Sequence, residues 1–207
     1  MISEEQKAEQ IITFFQGLYG DVEWWRGDPE EVIIGAVLTQ QTRWENVETA
    51  LKRLREAGIC SLLGVNGASD QTLEDAIYCT GFYRIKRERL KFLASAVLSC
   101  GGMKCLKEYP TPRLRAFFLA IKGVGPETAD SILCYGFTRP VFVIDAYTHR
   151  ICACAKISRK DADLQALFQR LLPEEHQAHR QCHAWFVEYA KNYCVKKRCE
   201  ECMILNF

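Results

Sequence analysis

The sequence lacks any apolar run long enough to cross a membrane. Its longest apolar stretches, such as Val32 to Leu38, are far shorter than the roughly 20 residues that a membrane-spanning helix needs. The first fifteen residues contain three glutamates and no apolar run, so the pattern of a secretory signal is missing as well. We therefore expect a cytoplasmic protein, in the cytosol or nucleoid of a bacterium or archaeon, with no membrane partner.

Net charge is also nearly absent. A formal charge of +1 neither indicates nor excludes a nucleic-acid partner, because the distribution of charge matters more than its sum. Basic residues crowd two segments, 84–91 and 191–198, and each is either a solvated helix face or a surface for DNA phosphates. Because 48% of the residues are hydrophobic, an intrinsically disordered chain is excluded.

The eleven cysteines do not form a disulfide framework, because their number is odd, their spacing is irregular and a cytosolic chain keeps thiols reduced. Those within apolar runs are expected to be small core residues: Cys60, Cys79, Cys100, Cys134 and Cys152. A compact second group lies among basic residues near residue 200: Cys194, Cys199 and Cys202. This second group is the candidate metal site.

Strand-like alternation is scarce, and apolar residues instead recur at helical spacing almost throughout. Only Val141 to Ile144 has the composition of a short strand. An Asp28 cap followed by Pro29 is typical of a helix start. The sequence predicts helices over 4–18, 32–38, 70–79, 86–99, 111–121, 126–135, 161–172 and 174–193. An all-α fold follows, and because no flexible linker is present, any domain division must arise by interleaving.

The segment from Arg113 to Phe137 is the most informative. An amphipathic helix ends at Lys122, Gly123-Val124-Gly125 follows, and a second helix begins with a proline. Two glycines permit a tight turn and let backbone N–H groups approach an anion, while the valine anchors the turn in the core. The segment is either a phosphate-binding hairpin or an ordinary packing joint.

Asp145 comes directly after the apolar residues Val141 to Ile144. A carboxylate at the end of a buried run is poorly explained as a surface charge. It is the N-cap of a helix, a catalytic group, or both.

Four blocks together resemble the endonuclease III superfamily of helix-hairpin-helix DNA glycosylases: GVGPETADSILCYGF, VFVIDAYTHRI, GAVLTQQTRWENV and TGFYRIKRERL. With the C-terminal cysteines, they span most of the chain. The resemblance implies a six-helix domain, residues 28–138 with the hairpin at about 113–137, inserted into a domain formed by residues 1–27 and 139–207. It also implies that the hairpin and Asp145 face each other across a cleft.

The resemblance implies a role for individual residues. Asp145 matches the family aspartate that stabilises positive charge building on the sugar and orients the attacking water. Gln41 matches the residue that fills the gap left by the extruded nucleotide. Phe82 matches a wedge at the opposing strand, or else packs in the core. Further DNA contacts are expected from the hairpin and the C-terminal loop: Lys122, Gly123, Val124, Gly125, Thr128, Lys196, Lys197 and Arg198.

In the bifunctional members, a lysine two residues after the second hairpin glycine forms a Schiff base. Glu127 occupies that position here, so we expect a monofunctional glycosylase without AP lyase activity. Trp24, Trp25 and Trp44, with Glu127, resemble the base pocket of the endonuclease III-like 3-methyladenine glycosylases. Aromatic faces attract cationic alkylated purines; the alternative is that the tryptophans are core residues.

The family's 4Fe–4S loop has the spacing C-x6-C-x2-C-x5-C, whereas Cys194-x4-Cys199-x2-Cys202 is followed by five residues. A cluster generally needs four thiolates. The fourth lies beyond residue 207, or comes from Cys182 or another cysteine, or the cluster has been lost; three thiolates with His183 would suit zinc instead. We expect a 4Fe–4S cluster whose fourth ligand the sequence does not identify.

The expected partner is double-stranded DNA with a damaged base, bound by a monomer. Three other functions remain open: a glycosylase and AP lyase for oxidised pyrimidines, a mismatch glycosylase, and a non-catalytic module that uses the hairpin as a phosphate clamp. Asp145 separates the last from the enzymes, because only an enzyme needs its carboxylate.

Overall fold

The computed structural model describes residues 2–25 and 27–207, and in this part of the chain it is helical without a β-strand. The all-α prediction is confirmed. The helices are α1 (Glu4–Tyr19), α2 (Pro29–Leu38), α3 (Trp44–Glu56), α4 (Leu62–Gly67), α5 (Asp70–Ile77), α6 (Tyr83–Ser99), α7 (Gly102–Lys107), α8 (Thr111–Leu119), α9 (Pro126–Ser131), α10 (Ala146–Cys154), α11 (Asp161–Leu171) and α12 (His176–Tyr189). None of the helices in the described residues is long and apolar enough to cross a membrane.

Two compact units divide the chain. The terminal unit combines the residues up to Trp24 with Thr138–Phe207, and the inserted unit is Trp25–Phe137. The described residues of the inserted unit contain eight α-helices, α2 to α9, where the resemblance implied six. The difference includes α4 and α7, helices of six residues each, which are too short for a periodic pattern to reveal.

Helix α2 forms the centre of the inserted unit. Asp28 accepts a hydrogen bond from the N–H of Glu30 at 2.9 Å and Pro29 is the first helical residue, which confirms the predicted helix start. Every residue from Val32 to Leu38 is buried, because α3, α6 and α9 pack around the helix. The end of α2 is thereby held in place, and the chain leaves it towards Gln41.

The core of the terminal unit is built from α1, α10, α11 and α12. Phe15 of α1 contacts Phe186 and Tyr189 of α12, with ring centroids 5.1 and 4.9 Å apart. The Gln181 amide pairs with both the N–H and the carbonyl of Val22, each at 2.8 Å. The segment after α1 is thus held against α12 by two side-chain hydrogen bonds to one backbone residue.

The apolar run from Val141 to Ile144 is extended and buried, but it is not a strand. Two glutamines of α11 satisfy its backbone instead: the Gln169 side chain accepts from the Phe142 N–H at 3.1 Å, and Gln165 donates to the Phe142 carbonyl at 2.7 Å. Side-chain amides replace the partner strand that this run lacks.

Candidate active site and DNA interface

Asp145 is the N-cap of α10. One carboxylate oxygen, Oδ1, accepts hydrogen bonds from the Thr148 N–H at 2.7 Å and the Thr148 hydroxyl at 2.9 Å. The other, Oδ2, lies 3.5 Å from Nε2 of His183. The expectation of a cap is therefore confirmed, and it leaves Oδ2 outside the capping bonds.

The environment of Asp145 keeps its carboxyl ionised. Burial by itself raises the pKa, but the hydrogen bond and charge of His183 and the two bonds from Thr148 outweigh it, and the pKa lies below its ordinary value of 3.8. Asp145 therefore carries a negative charge at neutral pH, although its own side chain is only 12% exposed. His183 was considered only as a metal ligand in the sequence, because nothing in the linear pattern places it beside residue 145.

The hairpin joins α8 to α9 as the sequence predicted. Gly123 has a φ of 90°, and a β-carbon there would lie 2.4 Å from Cγ of Arg89, so this position needs glycine. Val124 is 6% exposed, as expected for the anchor. Gly125, by contrast, has an ordinary φ of −90° and open space where a β-carbon would stand, so it does not create the turn.

Gln40, which the sequence analysis did not single out, braces the hairpin. Its amide donates to the Gly123 carbonyl at 3.1 Å and to the Thr128 hydroxyl at 2.9 Å, while its oxygen accepts from the Arg89 guanidinium. Thr128 is 7% exposed and its hydroxyl belongs to this brace, so the DNA contact expected at this position stays a prediction. Lys122 remains exposed, with Nζ 5.4 Å from the Phe92 ring centroid.

Gln41 and Phe82 share an unusual backbone. Their φ angles are 53° and 47°, in the left-handed region that few non-glycine residues adopt. Both residues are exposed, and Phe82 keeps 63% of its surface in solvent. Core packing is therefore excluded for Phe82, and both side chains are displayed on the inserted unit.

The basic segment 84–91 does not form one phosphate-binding surface. Lys86 is buried, the Arg87 guanidinium pairs with Asp70 and Glu74, and Lys91 donates to backbone carbonyls. Most of this charge is used inside the inserted unit, which linear charge density could not indicate.

Three aromatic side chains meet in the inserted unit. The Trp25 ring centroid lies 5.0 Å from that of Trp44 and 5.5 Å from that of Tyr135, a residue that the sequence analysis missed. Gly35 makes this packing possible, since a β-carbon there would lie 2.6 Å from the Trp25 indole. Trp24 belongs to the terminal unit, where Nζ of Lys191 lies 5.1 Å from its ring centroid.

Glu127 is exposed in the first turn of α9, in the same unit as the Trp25 cluster. Three of the four predicted pocket residues, Trp25, Trp44 and Glu127, thus belong to one unit. Asp145 and Trp24 belong to the other.

Comparison with known proteins identifies the family. Residues 34–174 match the HhH-GPD superfamily base excision DNA repair proteins. The chain belongs to this superfamily. It is a base excision repair DNA glycosylase of the HhH-GPD family.

Relatives extend over nearly the whole HhH-GPD chain. A Methanocaldococcus jannaschii protein that carries the name of a DNA repair glycosylase is 34% identical over 99% of this chain and 98% of its own. Endonuclease III of Thermotoga maritima is 30% identical over 98% and 90%. Among solved structures, the 3-methyladenine DNA glycosylase MagIII of H. pylori has a TM-score of 0.78 at 26% identity, covering 92% of this chain and 98% of its own. An endonuclease III–DNA complex has the same fold, with a TM-score of 0.81 at 20% identity and coverage of 100% and 95%.

The cysteine loop of this HhH-GPD protein follows a π-helical turn, Ala190–Cys194. Cys194 is half-buried, Cys199 exposed and Cys202 buried, and the Tyr189 hydroxyl lies 3.5 Å from the Cys202 sulfur. The basic residues between them are exposed, although Lys196 contacts the Asn192 amide oxygen at 3.3 Å and Arg198 pairs with Glu201. No group of three or more His, Cys, Asp or Glu side chains in the described residues stands ready as a metal site.

A fourth thiol faces the loop from α10. Cys154, its last residue, packs against the same core cluster as Cys194 and Cys202. Burial raises the pKa of Cys154, and the neighbouring Cys202 and Cys199 thiols raise it further. Cys182, considered as a fourth ligand from the sequence, is fully buried and has Cys152 as its neighbouring thiol. The predicted core positions Cys60, Cys79 and Cys100 are only half-buried, whereas Cys134 and Cys152 lie in the core.

Proposed function

We propose that this protein hydrolyses the N-glycosidic bond of an alkylated purine, of the 3-methyladenine type, in double-stranded DNA, and that it has no AP lyase activity. The observation that carries the proposal is the Trp25–Trp44–Tyr135 cluster in the unit that holds Glu127. The likeness to MagIII, which is named as a 3-methyladenine DNA glycosylase, supports the same substrate class.

The aromatic cluster suits a cationic base. N-alkylation leaves the purine positively charged, and aromatic faces attract cations by about 0.5–2 kcal/mol for each contact. Trp44 and Tyr135 are partly exposed, as is Trp25, so their rings are not sealed in the core. A nucleotide extruded from the duplex is the form in which such a base would meet them.

Asp145 supplies the chemistry of the proposed reaction. As the bond from the sugar carbon to the base nitrogen breaks, its electron pair leaves with the base, which becomes neutral, and positive charge remains on the sugar. The carboxylate at Oδ2 stabilises that charge and accepts the proton of the water that attacks the sugar carbon. An alkylated purine is a good leaving group, so no acid is needed to protonate it.

Glu127 supports the monofunctional assignment. A Schiff-base mechanism needs an amine that attacks the sugar carbon, and a carboxylate cannot replace it. The products are therefore a free base and an intact abasic strand.

End-labelled duplexes carrying 3-methyladenine, thymine glycol or an A·G mispair test the proposal, each incubated with enzyme and then split into samples with and without alkali. We expect cleavage only of the alkylated duplex and only after alkali. Cleavage without alkali, or of the thymine glycol strand, contradicts it. Asp145→Asn serves as the catalytic control: base release should be lost while duplex binding is retained.

We also propose that a 4Fe–4S cluster is held by Cys194, Cys199 and Cys202 of the loop together with Cys154. The loop offers three thiolates where a cluster needs four, and Cys154 is near enough to all three for their charges to affect one another's pKa. When bound, the cluster would cross-link the loop to α10 and so hold the exposed Lys197 of the loop in place. Anaerobically purified protein should contain iron and sulfide and absorb visible light. Cys154→Ser should lower the iron and sulfide content and the visible absorption, whereas the control Cys105→Ser should leave all three unchanged. Wild-type protein that contains zinc, or no metal, contradicts the proposal.

A further inference from the structure

Lys86 is an unusual interior residue of the inserted unit. It is 1% exposed, although lysine is almost never fully buried unless paired. Its ammonium donates hydrogen bonds to two backbone carbonyls, that of Leu38 at 2.9 Å and that of Thr80 at 2.8 Å. Burial, together with the positive charge of Arg89, lowers the pKa of Lys86 to about 8.

The two acceptors stand where two chain segments turn towards solvent. Leu38 is the last residue of α2, and the chain runs from it to Gln41. Thr80 ends the 3₁₀ turn Tyr78–Thr80, and the chain runs from it to Phe82. A single ammonium group therefore joins the two segments that display the exposed Gln41 and Phe82 side chains.

Both displayed residues need external support. A non-glycine residue in the left-handed region is strained and persists only when its surroundings fix it. Gln41 and Phe82 both adopt that region, and their side chains lie in solvent, so the support must come from the neighbouring backbone. The bonds from Lys86 supply it on both sides at once.

We propose that Lys86 is a positioning residue that fixes the spacing between Gln41 and Phe82, so that both can enter the duplex around an extruded nucleotide. This inference rests on the proposed function, in which the two side chains hold the duplex open. Its burial prevents Lys86 from reaching the sugar carbon, so its lowered pKa does not make it a Schiff-base lysine.

A lysine suits this task for a chemical reason. Its ammonium has three donors and no acceptor on a flexible four-carbon stem, so it bonds two carbonyls from different segments. Methionine fills similar space but leaves both carbonyls without this donor, and an unsatisfied buried polar group is destabilising. Loss of the ammonium therefore releases the two segments while the apolar packing remains.

The test compares Lys86→Met with Lys91→Met. Lys91 is a matched control, because it lies on the same helix and also donates to two backbone carbonyls, those of Asn66 and Ala68, away from the displayed residues. Base release is measured from 3-methyladenine in a fully paired duplex and in a single-nucleotide bulge, where little stacking must be broken. We expect Lys86→Met to lose at least tenfold on the paired duplex and less than threefold on the bulge.

Equal losses on both substrates, or the same pattern in Lys91→Met, overturn the proposal. If Lys86→Met does not fold, Lys86→Arg replaces it, and its paired-to-bulge ratio must shift in the same direction.

Failure of the proposed function is distinguished by a readout without base release. Wild-type protein is bound to a duplex with an abasic site flanked by 2-aminopurine, whose fluorescence rises when the base is unstacked. We expect a rise with wild type and Lys91→Met and a loss of more than half of it with Lys86→Met. An unchanged rise with Lys86→Met refutes the positioning role even if no alkylated base is released.

Discussion

The ion pair between Arg115 and Asp130 gives the sharpest energetic prediction, because it links the two helices of the hairpin. Arg115 of α8 donates from Nε to Oδ1 of Asp130 at 2.6 Å and from a terminal nitrogen to Oδ2 at 3.0 Å. The Asp130 side chain, on α9, is 4% exposed and that of Arg115 35%. A carboxylate this deep depends on its donors, whereas the guanidinium retains some water.

Arg115→Met should therefore be strongly destabilising. Removing one partner of a buried pair costs about 3–5 kcal/mol, and because one partner is partly solvated we expect the lower end, about 3 kcal/mol. For a chain of this size, that corresponds to a fall in Tm of roughly 6–12 °C. Urea unfolding at neutral pH measures the change.

A double-mutant cycle separates this explanation from a loss of packing. In Arg115→Met/Asp130→Leu the buried charge is gone, and such apolar replacements are often close to neutral, so the double variant should be more stable than Arg115→Met alone. Arg113→Met is the control: this exposed residue of the same helix only stacks on Tyr109, 3.8 Å from the ring centroid, and should lose less than about 1 kcal/mol. A loss below 1 kcal/mol for Arg115→Met, or a double variant as unstable as the sum of both singles, would refute the reasoning.

Three further predictions concern the hairpin, the interior lysine and the aromatic cluster. Gly123→Ala should lower Tm and weaken duplex binding in fluorescence anisotropy, because φ is positive and the new β-carbon meets an α6 side chain; Gly125→Ala should leave both unchanged. The unfolding free energy of wild type minus that of Lys86→Met should rise by up to about 3 kcal/mol between pH 8 and 10.5, since the folded state loses the proton at about 8 and the unfolded state keeps it until 10.5; a flat difference contradicts the burial. Trp25→Leu should reduce kcat/KM for 3-methyladenine by about 2- to 30-fold but leave release of a neutral purine unchanged; equal losses for both bases would remove the cation–π explanation.

The sequence predicted those elements whose signal is local. The start of α2 could be predicted because Asp28 and Pro29 perform their capping roles within four residues. The cap at Asp145 could be predicted for the same reason. Helix α3 was overlooked although Val47, Ala50, Leu51 and Leu54 stand at helical spacing. Its apolar spacing is therefore a local signal of the same kind.

Contacts across long sequence separations could not be predicted in this way. His183 lies beside Asp145 only because α12 packs on α10, and Gln40 reaches the hairpin over 83 residues. Charge density along the basic run at 84–91 likewise does not reveal which lysine turns inward. The burial of Thr128 could not be predicted for the same reason, since it depends on the approach of Gln40.

The division of the chain has a consequence for its synthesis on the ribosome. Residues 25–137 emerge as one complete unit, but α1 precedes them and its partner α12 follows. About 170 residues separate the C-terminal end of α1 from that of α12. At roughly 5–20 residues per second, the apolar face of α1, with Phe15 and Ile11, therefore stays without its packing partner for on the order of 10–30 s. Nascent chains of this protein should therefore be substrates for chaperones that bind apolar helices, and a synonymous change that slows translation between the units should lengthen that exposure.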